Sequence, residues 1–369
     1  MLVITTHAWL IWWKIYEWIW DRMLEILIAK KQDFLFLRHS IDGNLPSTLY
    51  TFIWGKPEKE QKLFHIRFSL FRYIVEFFST VFLLWFSALK VDTFIGVDPL
   101  NAIAWIWLRR FGRVGKVIFY TADYSKDRFQ NKTLNFVYHF IDRFCVKNAD
   151  RVWSVSRRIT DIRKDMELSD EKNIFVPNVP SEGYKDHLHI AKKEHSLITL
   201  GAISEQLDFE NLFLAIRKLS AEYPDILLKI VWNGPKEEEY KRRVRDLKIE
   251  RNVTFIGYLP HSQALAEIAS SQIGLALYNG NWNFNYYGDS MKCREYFCFG
   301  LPVLTTNTHS TVSDIQKYKA GVVCEEMSDS LYYKAIREIL DHYEDYAKNS
   351  RELGIKYEGI HAKLISELL

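Results

Sequence analysis

The residues with the clearest chemistry are Lys292 and Glu295, in the run GDSMKCREYFCFGLPV at 288–303. Asp289 or Ser290 is a good helix N-cap, Gly300 a good C-terminal stop, and Pro302 bars continuation. The helix between them has about ten residues by that reading. Lys292, Glu295 and Tyr296, spaced i, i+3 and i+4, share one of its faces. The approach through Gly288 leaves backbone N–H groups free at the positive end of the helix dipole, a seat for two linked phosphates. Lys292 adds a point charge to the same phosphates, and Glu295, one turn deeper, accepts hydrogen bonds from both hydroxyls of a ribose. These are the requirements of a nucleoside-diphosphate site. Read without the flanks, the pair is an ordinary i, i+3 contact on a solvated helix.

In the first half, three strand ends present polar groups: Thr6-His7, Asp98 to Asn101, and Asp123-Tyr124. Asp123 follows the apolar strand 117–121, where an open parallel sheet offers its reactive groups. It is the candidate general base for an acceptor hydroxyl if configuration inverts. If configuration is retained, it only orients a sugar. His7, Asp98 and Tyr124 complete the acceptor-side candidates. Each of these residues also has a plain reading as a strand-end turn or cap. His139 and Asp142, three apart on one helix face, read as a structural pair. No D-x-D pattern stands at a strand end, so no metal is expected.

Elements that must position these groups alternate along the chain. Strands are expected at 2–6, 33–38, 92–97, 117–121 and 151–156, with helices at 9–29, 61–89, 101–111 and 133–149. A polar connector follows at 181–194. The pattern then restarts, with strands at 196–200, 225–231, 253–256, 274–277 and 303–305. Helices are expected at 211–222, 236–247, 261–269, 290–299, 330–346 and 351–369. The fold class is α/β, with two Rossmann-like, doubly wound parallel-sheet domains facing across a cleft. The domains are 1–185, 195–350 and a final helix, 351–369, packing back toward the first.

The segment S-M-K-x-x-E-Y-(x)3-G-L-P-V resembles the donor-site signature of the family-4-like (group 1) glycosyltransferases of the GT-B fold. Further resemblances lie in order along the chain, in ITLGAI at 198–203, IVWNGP at 230–235 and VTFIGY at 253–258. ADRVWSVS at 149–156 and VPN at 176–178 resemble the end of the acceptor domain. The resemblance implies that Glu295 holds the ribose, Lys292 faces the phosphates, and Asp289, Ser290 and Met291 cradle the diphosphate. Gly201 and Ala202 would form the first glycine turn, Tyr258 would lie near the base, and 279–287 would line the donor sugar. Two departures stand out. Ala202 to Asp208 lack the Arg and Lys that many relatives carry after the first glycine, and Tyr287 stands where others have a second glutamate.

Composition is ordinary globular, 48% apolar and 26% charged, with a net charge of +3 whose excess lies in residues 1–190. That is too weakly basic for nucleic acid. Four cysteines without a C-x-x-C pair suit a reducing cytosol. The opening residues read as no secretory leader, because Lys14, Glu17 and Asp21 interrupt them. Arg72 and Glu76 count against a span at 68–88, and four apart they pair on a helix. Trp9, Trp12, Trp13, Trp18 and Trp20, with Arg109, Arg110, Arg113 and Lys116, suit an anionic membrane surface at the cytoplasmic face, or simple core packing and a solvated patch.

The expected function is transfer of a sugar from a nucleoside-diphosphate sugar, the co-substrate in place of a cofactor. The acceptor is a glycan or lipid-linked molecule of cell-surface polysaccharide or glycolipid synthesis. A silent scaffold of the same fold and a sugar-nucleotide epimerase are the alternatives.

Overall fold

Short β-branched runs and longer amphipathic ones sort into two separate units, Met1–Pro177 with His361–Leu369, and Asn178–Ile360. The computed structural model describes residues 1–11, 14–16, 21–40, 43–67, 69–85, 90–280 and 285–368. The division falls at 177/178, ahead of the expected connector, whose 182–187 stretch is a 3-10 turn of the second unit.

The first unit contains β1 (Leu2–Ile11), β2 (Lys14–Tyr16), α1 (Asp21–Ala29), β3 (Phe34–Ser40), β4 (Ser47–Ile53) and β5 (Lys56–Phe64). Then come α2 (Ser69–Trp85), β6 (Val91–Val97), α3 (Pro99–Arg110), β7 (Val114–Thr121), α4 (Lys132–Asn148), β8 (Arg151–Ser154), α5 (Arg157–Asp165) and β9 (Asn173–Phe175). The sheet runs β5-β4-β3-β1-β6-β7-β8-β9, with β2 folded back on β1. Strands β3, β1, β6, β7, β8 and β9 are parallel, and β4 and β5 add an antiparallel edge. Fully buried Phe94 and Trp105 stack at 3.5 Å between sheet and α3.

Two expected helices are corrected here. The stretch 9–29 is strand through Ile11, then β2, with α1 only from Asp21. A run rich in Trp, Ile and Thr fits a pleated surface as well as a helix. Trp12, Trp13, Trp18 and Trp20 lie outside the described residues. The stretch 61–89 begins as β5, turned by Trp54 and Gly55 with φ of 53° and 69°, a two-residue hairpin with both centres left-handed. Lysines along β5 blunt the sheet edge, and α2 starts only at Ser69. Among the described residues no helix is long and apolar enough to cross a membrane.

The second unit contains β10 (Ser196–Leu200), α6 (Phe209–Leu219), β11 (Leu227–Val231), α7 (Glu237–Asp246), β12 (Val253–Gly257), α8 (His261–Ala269) and β13 (Ile273–Ala276). It continues with α9 (Met291–Cys298), β14 (Val303–Thr306), α10 (Val312–Tyr318), β15 (Gly321–Cys324), α11 (Asp329–Asp341) and α12 (Tyr343–Leu368), whose last residues belong to the first unit. All six strands are parallel in the order β12-β11-β10-β13-β14-β15. The order reverses between β10 and β13, the switch point at which such sheets open a crevice beyond their carboxyl ends.

Candidate donor and acceptor sites

Helix α9 sits at that switch point because Gly274 on β13 leaves room for it. A Cβ there would lie 2.4 Å from the Tyr296 ring. The Tyr296 hydroxyl donates to the carbonyls of Leu275 (3.2 Å) and Ile198 (3.4 Å), tying the helix across both strands. Tyr296 is therefore wholly buried in the sheet, whereas Lys292 and Glu295 reach the surface. The common face expected for all three is corrected to a helix edge, with Tyr296 as its anchor.

Ser290 is the N-cap. Its hydroxyl accepts from the Cys293 amide and pairs with the Tyr278 hydroxyl at 2.9 Å. The amides of Met291 and Lys292 have no acceptor among the described residues, as expected of a helix's first turn. Lys292 packs its ammonium over the Tyr278 ring at 4.7 Å. It also presses on the turn after β10, where a Cβ on Gly201 would stand 2.8 Å from its Nζ. Gly201 has φ +116°, which glycine adopts without strain. Lys292 has no hydrogen-bond or ion-pair partner among the described residues. Burial pulls its pKa down to about 8, with Cys293 and Glu295 opposing. A half-buried cation without a partner, beside two open amides, is a seat for an anion.

Glu295 is 13% exposed on its side chain and accepts from Nε2 of His261, the first residue of α8, at 2.9 Å. Its second oxygen has no hydrogen-bond partner among the described residues. Tyr258, after β12, lies edge-on to Trp232 at 4.9 Å, and Trp232 bridges back to Gly257. His261 and Trp232 join the site from strand and helix ends that no local pattern marks. Ala202 is exposed on the Gly201 turn.

Asp289, expected at the diphosphate, is turned inward. Its carboxylate accepts from Arg294 (2.7 Å), the Thr311 hydroxyl (2.8 Å) and the Asn178 amide (2.8 Å). It therefore shapes the loop into α9 and offers no free oxygen to a ligand. In the stretch expected along the donor sugar, 281–284 lie outside the described residues. Tyr286 and Tyr287 stack edge to face at 4.9 Å.

In the first unit, the structure brings His7 and Asp98 together and adds partners the sequence did not single out. His7 Nδ1 is 2.7 Å from Asp98 Oδ2, and Nε2 is 3.2 Å from Glu76 Oε2. Arg72 pairs with Glu76 at 3.4 Å, the expected i, i+4 contact. Asp98 holds φ +65°, a strained conformation for a non-glycine residue, while its other oxygen caps α3 at Leu100 and Asn101. Asp123 is exposed and ion-paired with Arg128 at 3.0 Å. Tyr124 is buried under Arg163 and beside His139. His139 donates to the Lys126 carbonyl and Asp142 pairs with Arg163, so the expected His139–Asp142 pair is replaced by two separate contacts. Among the described residues no group of three His, Cys, Asp or Glu could hold a metal ion.

Burial works against the His7 cation, but Asp98 and then Glu76 lift its pKa to about 10. In the unfolded chain the ring titrates near 6.5. The network's contribution to stability is thus complete below about pH 6.5 and is lost as pH rises through about 10. His39, Tyr73 and Asn101 also face the ring. His7→Gln is expected to lower the melting temperature at pH 6 and to flatten the decline between pH 7 and 10. Thermal melts across that range check it, and an unchanged decline in the variant refutes it.

Residues 181–353 match the glycosyl transferases group 1 family. Over 169 residues the chain is 26% identical to an uncharacterized glycosyltransferase of Haemophilus influenzae, a match spanning 44% of this chain and 44% of that protein. WaaG, a glycosyltransferase involved in lipopolysaccharide biosynthesis, superposes with a TM-score of 0.63 at 14% identity, over 99% of both chains. HepE of Anabaena, solved with UDP, gives 0.64 at 10% identity over 100% of this chain and 99% of its own. Sucrose-phosphate synthase of Thermosynechococcus elongatus gives 0.67 at 15% over 100% and 97%. At such identities the likeness is one of fold, and the fold is GT-B, with α9 inside the matched segment.

Proposed function

We propose that the chain transfers a glycosyl group from a nucleoside-diphosphate sugar to a hydroxyl of a glycan or lipid-linked acceptor in cell-surface polysaccharide or glycolipid synthesis. The observation that carries this reading is Lys292, partly buried and unpaired among the described residues, beside the open amides of α9 and the Gly201 turn. In this reading the diphosphate lies on those groups and the ribose hydroxyls meet the open oxygen of Glu295. The base lies toward Tyr258 and Trp232. The acceptor oxygen bonds to the anomeric carbon as the bond to the diphosphate oxygen breaks, and the departing charge falls on Lys292 and the amides. In an inverting course Asp123 takes the hydroxyl proton, whereas in a retaining course the departing diphosphate takes it. His7, Asp98 and Tyr124 belong to the acceptor side.

UDP in HepE makes uridine the first base to test here. Calorimetry with uridine, guanosine and thymidine diphosphates, followed by hydrolysis of a panel of nucleotide sugars, should show micromolar binding of one base and turnover of its sugar. The phosphate charge is balanced by protein groups in this proposal, so turnover should survive excess EDTA. Absence of binding to every diphosphate would favour the scaffold reading.

A further inference from the structure

Backbone conformations with φ well above zero favour glycine, because a Cβ crowds the neighbouring peptide. At the carboxyl edge of the second sheet, the turns after β10 and β12 follow that rule, with Gly201 at φ +116° and Gly257 at φ +83°. The turn after β11 breaks it. There Trp232 holds φ +129°, a bulky side chain on a glycine-type backbone. The surroundings impose this conformation. The Trp232 amide donates to the Gly257 carbonyl at 2.9 Å, and the next carbonyl, of Asn233, accepts from the Ile203 amide at 3.2 Å. Gly234 presses on the same backbone, where a Cβ would stand 2.2 Å from the Ile203 oxygen. Strain of this kind lowers stability and persists where neighbours over-determine it, most often at functional sites. In packing, the partly exposed indole gains an edge-on contact with Tyr258, itself 37% exposed.

The strand order β12-β11-β10-β13 sets the three turns in a row. Gly201 meets Lys292 at one end. At the other end stands Tyr258, in the segment leading to His261, whose ring donates to Glu295 at 2.9 Å. Neighbouring strands lie about 4.8 Å apart, so the row from β10 to β12 is about 10 Å long. Trp232, after the middle strand, meets Tyr258 at 75°. Two rings at that angle make a corner, which offers a planar ligand one face to lie on and one edge to abut.

We infer that Trp232 is the stacking surface for the nucleobase of the donor, and that its strained backbone is the cost of holding an indole there. The inference rests on the reading of α9 as the diphosphate seat. The base lies on the indole and is bounded by Tyr258, and the ribose, at Glu295, lies between the base and Lys292.

Substitutions at this one position separate ring from backbone. Trp232→Gly and Trp232→Ala both remove the indole, but only glycine relaxes at this φ, so the glycine variant should melt several degrees above the alanine variant. By calorimetry both should bind UDP at least tenfold more weakly than the parent. Trp232→Phe, which restores an aromatic face, should come back to within about threefold of the parent, whereas Trp232→Leu, apolar but without a π face, should not. Inorganic pyrophosphate has no base and should bind the parent and all four variants alike. Parental UDP affinity in the alanine variant overturns the inference, as does recovery by leucine equal to that by phenylalanine. A matching loss of pyrophosphate also overturns it, because the indole would then only keep the turn in shape. A glycine variant that melts no higher than the alanine variant overturns the assignment of strain. A parent that binds neither UDP nor pyrophosphate overturns the proposed function itself, which none of the other outcomes does.

Discussion

Lys292→Ala is expected to weaken nucleoside-diphosphate binding by about 1.5–3 kcal/mol, the loss of a charged hydrogen bond from a site partly shielded from water. The size follows from its surroundings. The ammonium has a ring on one side and the Gly201 turn on another, but no ion-pair partner among the described residues. Bound phosphates would supply one. The same burial gives the effect a pH signature. With its pKa near 8, Lys292 is charged below that pH and increasingly neutral above it. Phosphate binding recovers the charged form, so the dissociation constant should be flat below about pH 8 and rise by up to tenfold per pH unit above it. The neighbours do not share this window, since burial pushes the Cys293 thiol up to about 12 and the Tyr278 hydroxyl beyond its usual range. Lys292→Arg should remove the inflection, because a guanidinium keeps its charge throughout. Glu295→Ala separates the two halves of the ligand. It should weaken UDP by a similar amount and leave inorganic pyrophosphate unchanged, because pyrophosphate has no ribose. Calorimetric titrations from pH 6 to 10 check all three. Wild-type affinity in both alanine variants would refute the site.

Helix α9 was readable because every device that defines it is local. Ser290 caps it, Gly300 ends it at φ +65°, and Pro302 forbids its continuation. The parallel strands were readable for a similar reason, since runs such as Ser196–Leu200 are buried on both faces and carry no alternation. What escaped was either ambiguous or distant. The run Lys56–Phe64 has the composition of a solvated helix, and only its hairpin with β4 makes it a strand. His261 reaches Glu295 across 34 residues, and Glu76 reaches His7 across 69. Contacts of that kind follow from which strand ends the topology places side by side, and no spacing along the chain records them. Asp289 shows the reverse error. Its position beside the cap suggested a ligand contact, but an arginine five residues later claims it.

That arginine carries the largest stability prediction. Arg294 is 2% exposed, and its guanidinium reaches Asp289 at 2.7 Å and Asp314 at 3.4 Å while lying 3.9 Å from the Tyr357 ring centroid. Both carboxylates are as buried as the arginine. Arg294→Ala would leave two uncompensated charges in the interior, and loss of one partner of a buried pair costs about 3–5 kcal/mol. Arg294→Met keeps most of the stem against Tyr357, so it separates packing from charge. It should remain nearly as unstable as the alanine variant. Adding Asp289→Asn to Arg294→Met should restore part of the loss, because the amide oxygen can still accept from the Asn178 amide while its NH2 faces the Thr311 hydroxyl, without a buried charge. The effect should reach the site as well, because Asp289 holds the loop that aims Ser290 and the open amides. UDP affinity of Arg294→Met should therefore fall even where the protein remains folded. Urea unfolding followed by fluorescence, together with UDP titration in the folded range, measures both. A destabilisation under about 1 kcal/mol would show that this network is relaxed in solution and that the shape of the α9 entry does not depend on it.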